Sequence, residues 1–243
     1  VAIVANKIAE RPASYDRRLD YPASQMPDEP RRRDADRSRA LLLDVAEQQF
    51  SDHGFDGVSL QEIGAEAGLS RGTPSYFFGN KEGLYGAVLD RVFAGRDEAT
   101  RAAFAPLIAW ADDRDGDEAG LRRALGRAVT DYLAFLVGRP AFVRLIGWED
   151  LGGGARLRDA RPTASSIMVD AFTAVRRAGR RHGTAPFATD DAVLLFVALT
   201  FSLRANHDTF LAGMGRDLAD PATQRRHVKL TVDQLLHLVA RPR

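Results

Sequence analysis

VSLQEIGAEAGLSRGTPSYFFGNKEGL, residues Val58 to Leu84, reads as two short helices joined by a tight turn. Ser59 followed three residues later by Glu62 is a capping box, in which hydroxyl and carboxylate each satisfy a free backbone N–H at a helix start. A helix is therefore predicted from Leu60. Ile63 and Ala67, four apart, give it an apolar face, and the small Gly64 leaves room for a second helix to approach. Gly68 suits the left-handed position that ends a helix. Leu69 supplies the hydrophobic contact that follows, and Ser70 is placed to cap the next helix. Two helices about a turn of roughly three residues that contains glycine form the helix-turn-helix pattern, whose second helix has the shape to enter a DNA major groove.

Upstream, the spacing from about Asp36 to His53 predicts a helix with Leu42, Val45, Ala46, Gln49 and Phe50 on one face, stopped by Gly54. Phe55 and Val58 follow as apolar residues able to pack beneath the motif. Three short helices then share a core of Leu42, Val45, Phe50, Phe55, Ile63, Ala67, Leu69 and Phe77 or Phe78. Residues 1–34 hold Pro12, Pro22, Pro27 and Pro30 among many charges, and read as a disordered arm. Arg31, Arg32 and Arg33 close it, either as a solvated tail or as an arm that touches DNA backbone or minor groove.

Downstream, Asn80 is a good N-cap for a fourth helix from Lys81 through Leu84, Val88, Leu89 and Val92 towards Ala103. Residues 104–117, with Pro106 and the run Asp112 to Asp117, read as a loop. Helices are then expected near 118–137, from Pro140 through Trp148, and over about 162–181, with Gly152 to Gly154 as a flexible break and Pro186 as a boundary. The segment from Asp190 to Leu211 is apolar all round, which for a helix too short to span a bilayer means burial on two sides. The last helix, about 221–240, carries the stripe Val228, Val232, Leu235, Leu236 and Val239. Two such helices from each of two subunits would form an intersubunit four-helix bundle. Strand-like alternation persists nowhere, so the predicted fold is all-α.

Composition excludes more than it selects. The chain of 243 residues has no cysteine, which removes disulfides, thiolate zinc sites and cysteine redox chemistry. Its longest apolar run, Ala192 to Leu199, predicts no membrane span, and a cytoplasmic protein is expected. Histidines 53, 182, 207, 227 and 237 show no metal-ligand spacing. Nucleophile, phosphate-loop and dinucleotide motifs are missing, so neither an enzyme nor a cofactor is expected. A formal charge of +1 gives no general case for nucleic acid. From Arg37 to Lys81 the cations Arg37, Arg39, Arg71 and Lys81 face six anions, Asp44, Glu47, Asp52, Asp56, Glu62 and Glu66. DNA binding must therefore rest on placement: between Glu66 and Glu82 the charges are Arg71 and Lys81 alone.

The residues from about Ala40 to Leu84 resemble the TetR family of bacterial transcriptional regulators. The likeness is carried by Leu43, Ala46 and Phe50, by His53-Gly54-Phe55, Ser59, Ile63-Gly64, the run Ala67 to Thr73, Tyr76-Phe77-Phe78, and Asn80 to Leu84. It covers about a fifth of the chain strongly and the rest in architecture. It implies a helix-turn-helix head (35–83), and a helical ligand-binding and dimerisation domain (84–243) that pairs through its last two helices. The resemblance also implies a homodimeric repressor that leaves a palindromic operator when a small molecule binds. The implied DNA contacts are Ser59, Gln61, Ser70, Arg71, Gly72, Thr73, Ser75, Tyr76 and Lys81. Hydroxyls, a phenol and helix-start N–H groups suit phosphate oxygens, Arg71 suits guanine O6 and N7, and the helix-unfavourable Gly72 suits close approach to DNA.

Where the family most often has Leu-Tyr inside the recognition helix, this chain has Pro74-Ser75. Either the helix start is distorted, or Thr73 is the cap and Pro74 the first helical residue. In the body, Trp110, Tyr132, Phe135, Trp148, Met168, Phe172 and Phe201 are candidates to line an effector pocket between helices. An activator or ligand-independent regulator would carry the same head. An all-α enzyme would need a polar cluster in the body, which the sequence does not show.

Overall fold

The computed structural model describes residues 29–158 and 166–239, and all ten regular elements among them are α-helical. They are α1 (Glu29–His53), α2 (Leu60–Glu66), α3 (Thr73–Phe78), α4 (Lys81–Asp112), α5 (Glu118–Gly138), α6 (Pro140–Leu151), α7 (Ala155–Arg158), α8 (Ser166–His182), α9 (Thr189–Ala205) and α10 (Pro221–Val239), with a single π-helical turn at His207–Leu211. None is long and apolar enough to cross a membrane. Contacts divide the chain into Val1–Ser38 and Arg39–Arg243. Of the first unit only the helical conformation of residues 29–38 is described. Most of the expected arm lies outside the described residues, but 29–34 are helical, so α1 starts earlier than its apolar periodicity implies. Residues 29–37 contribute no apolar face to count, and a helix made of Arg, Asp and Ala leaves no periodic signal.

Within residues 39–243, Leu42, Ala46 and Phe50 of α1 are buried with Val58, Ile63, Leu84 and Val88, while Val45, Phe55, Leu69, Phe77 and Phe78 pack around them half-buried. This is the small core expected of the head. α4 leaves it and continues for 32 residues to Asp112, straight through the region predicted as a loop. Pro106 removes one backbone donor there, a cost of about 3 kcal/mol in an isolated helix. Phe104, Leu107, Trp110 and Ala111 bury against α5 and α8, and this tertiary packing holds the helix. The loop shrinks to the residues between Asp112 and Glu118.

The body is built on α4, which packs against α5 and α8, and α9 and α10 close the bundle against α5. The predicted continuous helix 190–211 instead ends at Ala205, and the π turn follows. On α10, Val232, Leu235, Leu236 and Val239 are buried inside their own subunit. The apolar stripe assigned to dimer contact is therefore largely spent within the protomer. What remains exposed nearby is Leu194 of α9, Phe210 and Met214 beyond it, and Leu230 of α10.

Candidate nucleic-acid interface

The start of α2 forms as its residues dictate. The Ser59 Oγ accepts from Glu62 N–H at 3.2 Å and donates to Glu62 Oε2 at 2.7 Å, while Ser59 N–H donates to the same carboxylate at 3.0 Å. These bonds from Ser59 are the main reason the Glu62 carboxyl titrates below its usual range. At the other end, Gly68 takes φ +67° and the chain closes with Leu69 N–H to Gly64 O at 2.9 Å and Gly68 N–H to Ala65 O at 3.0 Å. That pair of bonds is the Schellman arrangement, and it aims the chain back towards α2.

The structure resolves the proline question by shortening the second helix. Gly72 is the N-cap, Thr73 and Pro74 open α3, and the missing Pro74 N–H falls where no intrahelical acceptor exists. Ser70 is therefore not the N-cap; its hydroxyl lies 2.7 Å from that of Thr73 across the preceding turn, in which Thr73 N–H donates to Ser70 O at 3.0 Å. Pro74 itself is buried. A Cβ on Gly64 would lie 3.1 Å from its Cγ and 3.3 Å from its Cδ, so glycine in α2 and proline in α3 are the two halves of one close helix contact.

Burying Pro74, Phe77 and Phe78 turns the other side of α3 outward. Arg71, Gly72, Ser75 and Tyr76 are all exposed, and the Tyr76 ring is 82% exposed, edge-on to Phe77 at 5.1 Å. Ser59, Gln61 and Ser70 are exposed as well, and Thr73 is half-buried. Lys81 is drawn inward: its ammonium lies 4.5 Å from the centre of the Phe55 ring. Arg39, read from sequence only as one of the local cations, has its guanidinium 5.1 Å from the ring centre of Phe78 at the end of α3. Sequence spacing gives no hint of this, since the two residues meet only through the tertiary fold.

The acidic surplus of this region is absorbed locally. Arg91 binds Asp44 at 2.6 Å, Glu47 at 2.5 Å and Leu43 O at 2.8 Å. Arg144 reaches Asp52 at 3.1 Å, Gln49 donates to Glu66, and Glu62 serves the cap. Five of the six anions are thus engaged by neighbours away from the exposed face of α3.

Besides the Arg91 and Arg144 ion pairs with α1, a further junction ties α6 to the start of α4 and the end of α1. Tyr85 of α4 donates to the buried Glu149 of α6 at 2.7 Å, and burial, reinforced by this bond, pushes the phenol well above its ordinary range. Trp148 Nε1–H donates to Ser51 O at 3.1 Å, and its ring lies against Gly54, where a Cβ would come within 3.0 Å. Trp148 therefore serves the head contact and stands apart from the other aromatics named for an effector pocket. Trp110 also stands apart: its indole donates to Asp117 O at 2.9 Å and its ring lies 4.7 Å from His182. Tyr132, Phe135, Phe172 and Phe201 do come together, linked through Phe104, Phe142 and Phe196 by ring contacts of 4.9–6.4 Å, and Met168 is buried. Burial raises the Tyr132 phenol to about 12.

Comparison with known proteins agrees with this architecture. The family described as "Bacterial regulatory proteins, tetR family" matches residues 42–88, and the "Tetracyclin repressor-like, C-terminal domain" matches residues 122–235. The HTH-type transcriptional repressor NicS of Pseudomonas putida is 28% identical over 203 residues, 78% of this chain and 86% of that protein. The HTH-type transcriptional regulator RutR of Escherichia coli is 39% identical over 82 residues, 30% of this chain and 39% of its own length. A TetR family transcription regulator from Marinobacter aquaeolei shares the fold with a TM-score of 0.62 at 19% identity, covering 88% of this chain and all of that one. The helix-turn-helix head, the helical body matched in its own right and these relatives together establish that the chain belongs to the TetR family of bacterial DNA-binding transcriptional regulators.

Proposed function

We propose that the chain is a homodimeric repressor of a palindromic operator, released by a small molecule bound in the body. The observation that carries the DNA-binding part is the outward face of α3: Arg71, Gly72, Ser75 and Tyr76 are exposed together, and nothing in the packing of the head calls for an aromatic residue there. Ser59, Gln61, Ser70, Thr73 and Lys81 complete the proposed contact set, with Arg39 added beside α3. Two copies of α3 about 34 Å apart would enter successive major grooves. The functional division runs at 83/84, between a head that reads DNA and a body that pairs and senses.

Release follows from the junction. The Tyr85–Glu149 bond ties α6 to the start of α4, and the Trp148 contact with Ser51 and Gly54 ties it to the end of α1, so a ligand that moves α6 would move the head with it. A coupling of roughly 1–3 kcal/mol makes a useful switch. Support for a sensing body comes from the family match over 122–235 and from the repressor NicS.

The test is to select a binding sequence from random duplexes with the full chain and measure affinity against salt. An inverted repeat is expected. Tyr76→Ala should weaken binding about tenfold with an unchanged salt slope, and Arg71→Ala should weaken it by about tenfold or more and relax the preference at one base position of each half-site. Recovery of no inverted repeat, or variants that bind as the parent does, would overturn the reading.

A further inference from the structure

A cleft of about 200 Å³ opens where α1, α4, α5 and α6 meet, lined by Asp44, Glu47, Arg91, Gly95, Arg139 and the ring pair Phe135 and Phe142. We propose that this cleft is a binding site for a small aromatic carboxylate, at the edge of the aromatic core of the body, with which it shares Phe135 and Phe142. Three features define the ligand. Phe135 and Phe142, with centroids 5.4 Å apart and planes inclined by 55°, offer aromatic surface, and Phe142 is held from behind by Phe93 and Phe201. The volume is below the roughly 300 Å³ at which sites for drug-sized ligands begin, so a single ring is the right scale.

Charge decides the sign of the ligand. Asp44 and Glu47 are both taken up by Arg91. Arg139 is exposed, lines the cleft and has no hydrogen-bond or ion-pair partner among the described residues. The four charged side chains of the lining sum to zero, and the one left without a partner is Arg139, whose planar fork suits a carboxylate.

Gly95 supplies the third feature. It lies inside the 32-residue α4, where glycine costs roughly 0.5–1 kcal/mol relative to alanine. It adopts no left-handed conformation, and a Cβ there would meet nothing within 4 Å. Neither backbone geometry nor close packing calls for glycine here, and its missing side chain leaves that wall of the cleft open. A ligand in this place would touch α1 of the head and α4 to α6 of the body at once, beside the Arg91 clamp. It would thereby favour the arrangement of α1 and α4 that forms the cleft.

Calorimetric titration of the full chain with benzoate, benzamide and benzylammonium at fixed ionic strength tests this without DNA, so its outcome is independent of the operator experiment. Benzoate should bind, with benzamide and benzylammonium weaker. Gly95→Leu, which fills the cleft, and Arg139→Gln, which removes the exposed cation, should each weaken benzoate about tenfold or more while the melting temperature stays near that of the parent. Should Gly95→Leu fail to fold, Arg139→Gln carries the result, because its side chain supports no contact in the fold. Absence of benzoate binding, equal binding of benzylammonium, or parental affinity in the folded variants would overturn the proposal.

Discussion

Pro74 and Gly64 show how a residue unfavourable to a helix becomes a requirement of its tertiary contact. Pro74 presses its ring on the α2 backbone, and only the absence of a side chain at Gly64 lets it sit there. Alanine at 64 would place its Cβ 3.1 Å from Pro74 Cγ and 3.3 Å from Pro74 Cδ, tighter than ordinary contact. The helix propensity of alanine returns up to about 1 kcal/mol, which the overpacking, typically 1–3 kcal/mol, outweighs. Gly64→Ala should therefore lower stability in chemical denaturation by about 1 kcal/mol. Combined with Pro74→Ala, the loss should be smaller than the sum of the two, because the second change removes the obstacle the first one meets.

At the scale of elements, the turn between α9 and α10 is held by one imidazole. His207 Nδ1 lies 2.8 Å from Asp208 and Nε2 lies 3.0 Å from Asp217, an arrangement in which both ring nitrogens donate and the ring is charged. The bonds to Asp208 and then Asp217 raise the His207 pKa, while their own carboxyls are lowered, Asp208 mainly by His207 and Asp217 first by the Ala219 N–H. A histidine raised on folding contributes fully below its unfolded value of about 6.5 and loses that contribution as pH rises through the folded value. The carboxylates set the lower edge, where protonation at strongly acid pH removes the partners. Amide exchange across 206–220 should therefore be slower, relative to His207→Gln, at pH 5.5 than at pH 8.5, and the two proteins should converge as pH rises.

The same elements mark what the sequence discloses. Capping at Ser59, Asn80 and Gly68, and the apolar faces of α1, α5 and α10, depend on neighbours within four residues, and the structure contains them as read. The persistence of α4 through Pro106, the use of Trp148 against Gly54, and the Arg39–Phe78 contact depend on residues tens of positions away. These leave no periodic trace. The α10 stripe illustrates the limit: its period correctly announced a buried face, but period alone does not say whether the cover is the same chain or a second one. The proposed DNA contacts Arg71, Gly72, Thr73, Ser75 and Tyr76 were nominated by the family resemblance, while Pro74 obscured the helix start until its contact with Gly64 was visible.

For the whole molecule, the proposed homodimer needs a surface that pairs two copies. The buried stripe of α10 excludes Val232, Leu235, Leu236 and Val239, whereas Phe210 is 72% exposed and Leu230 is 51% exposed. They line a groove of about 480 Å³ with Leu203 and Met214, and a neighbouring groove of about 380 Å³ runs along Leu199, Ser202 and Leu203 of α9. Apolar side chains projecting beside apolar grooves are self-complementary, which is what a two-fold interface requires, because each copy must supply both knob and socket. Their exposure also separates pairing from folding. Leu230→Glu and Phe210→Glu should leave the circular dichroism spectrum and subunit fold intact while sedimentation shifts the protein from dimer to monomer. A monomer holds one half-site with no fixed spacing to another, so the inverted repeat should lose most of its advantage over a single half-site. If both variants sediment as dimers, the interface lies on another face and the exposed apolar turn after α9 has a different occupant.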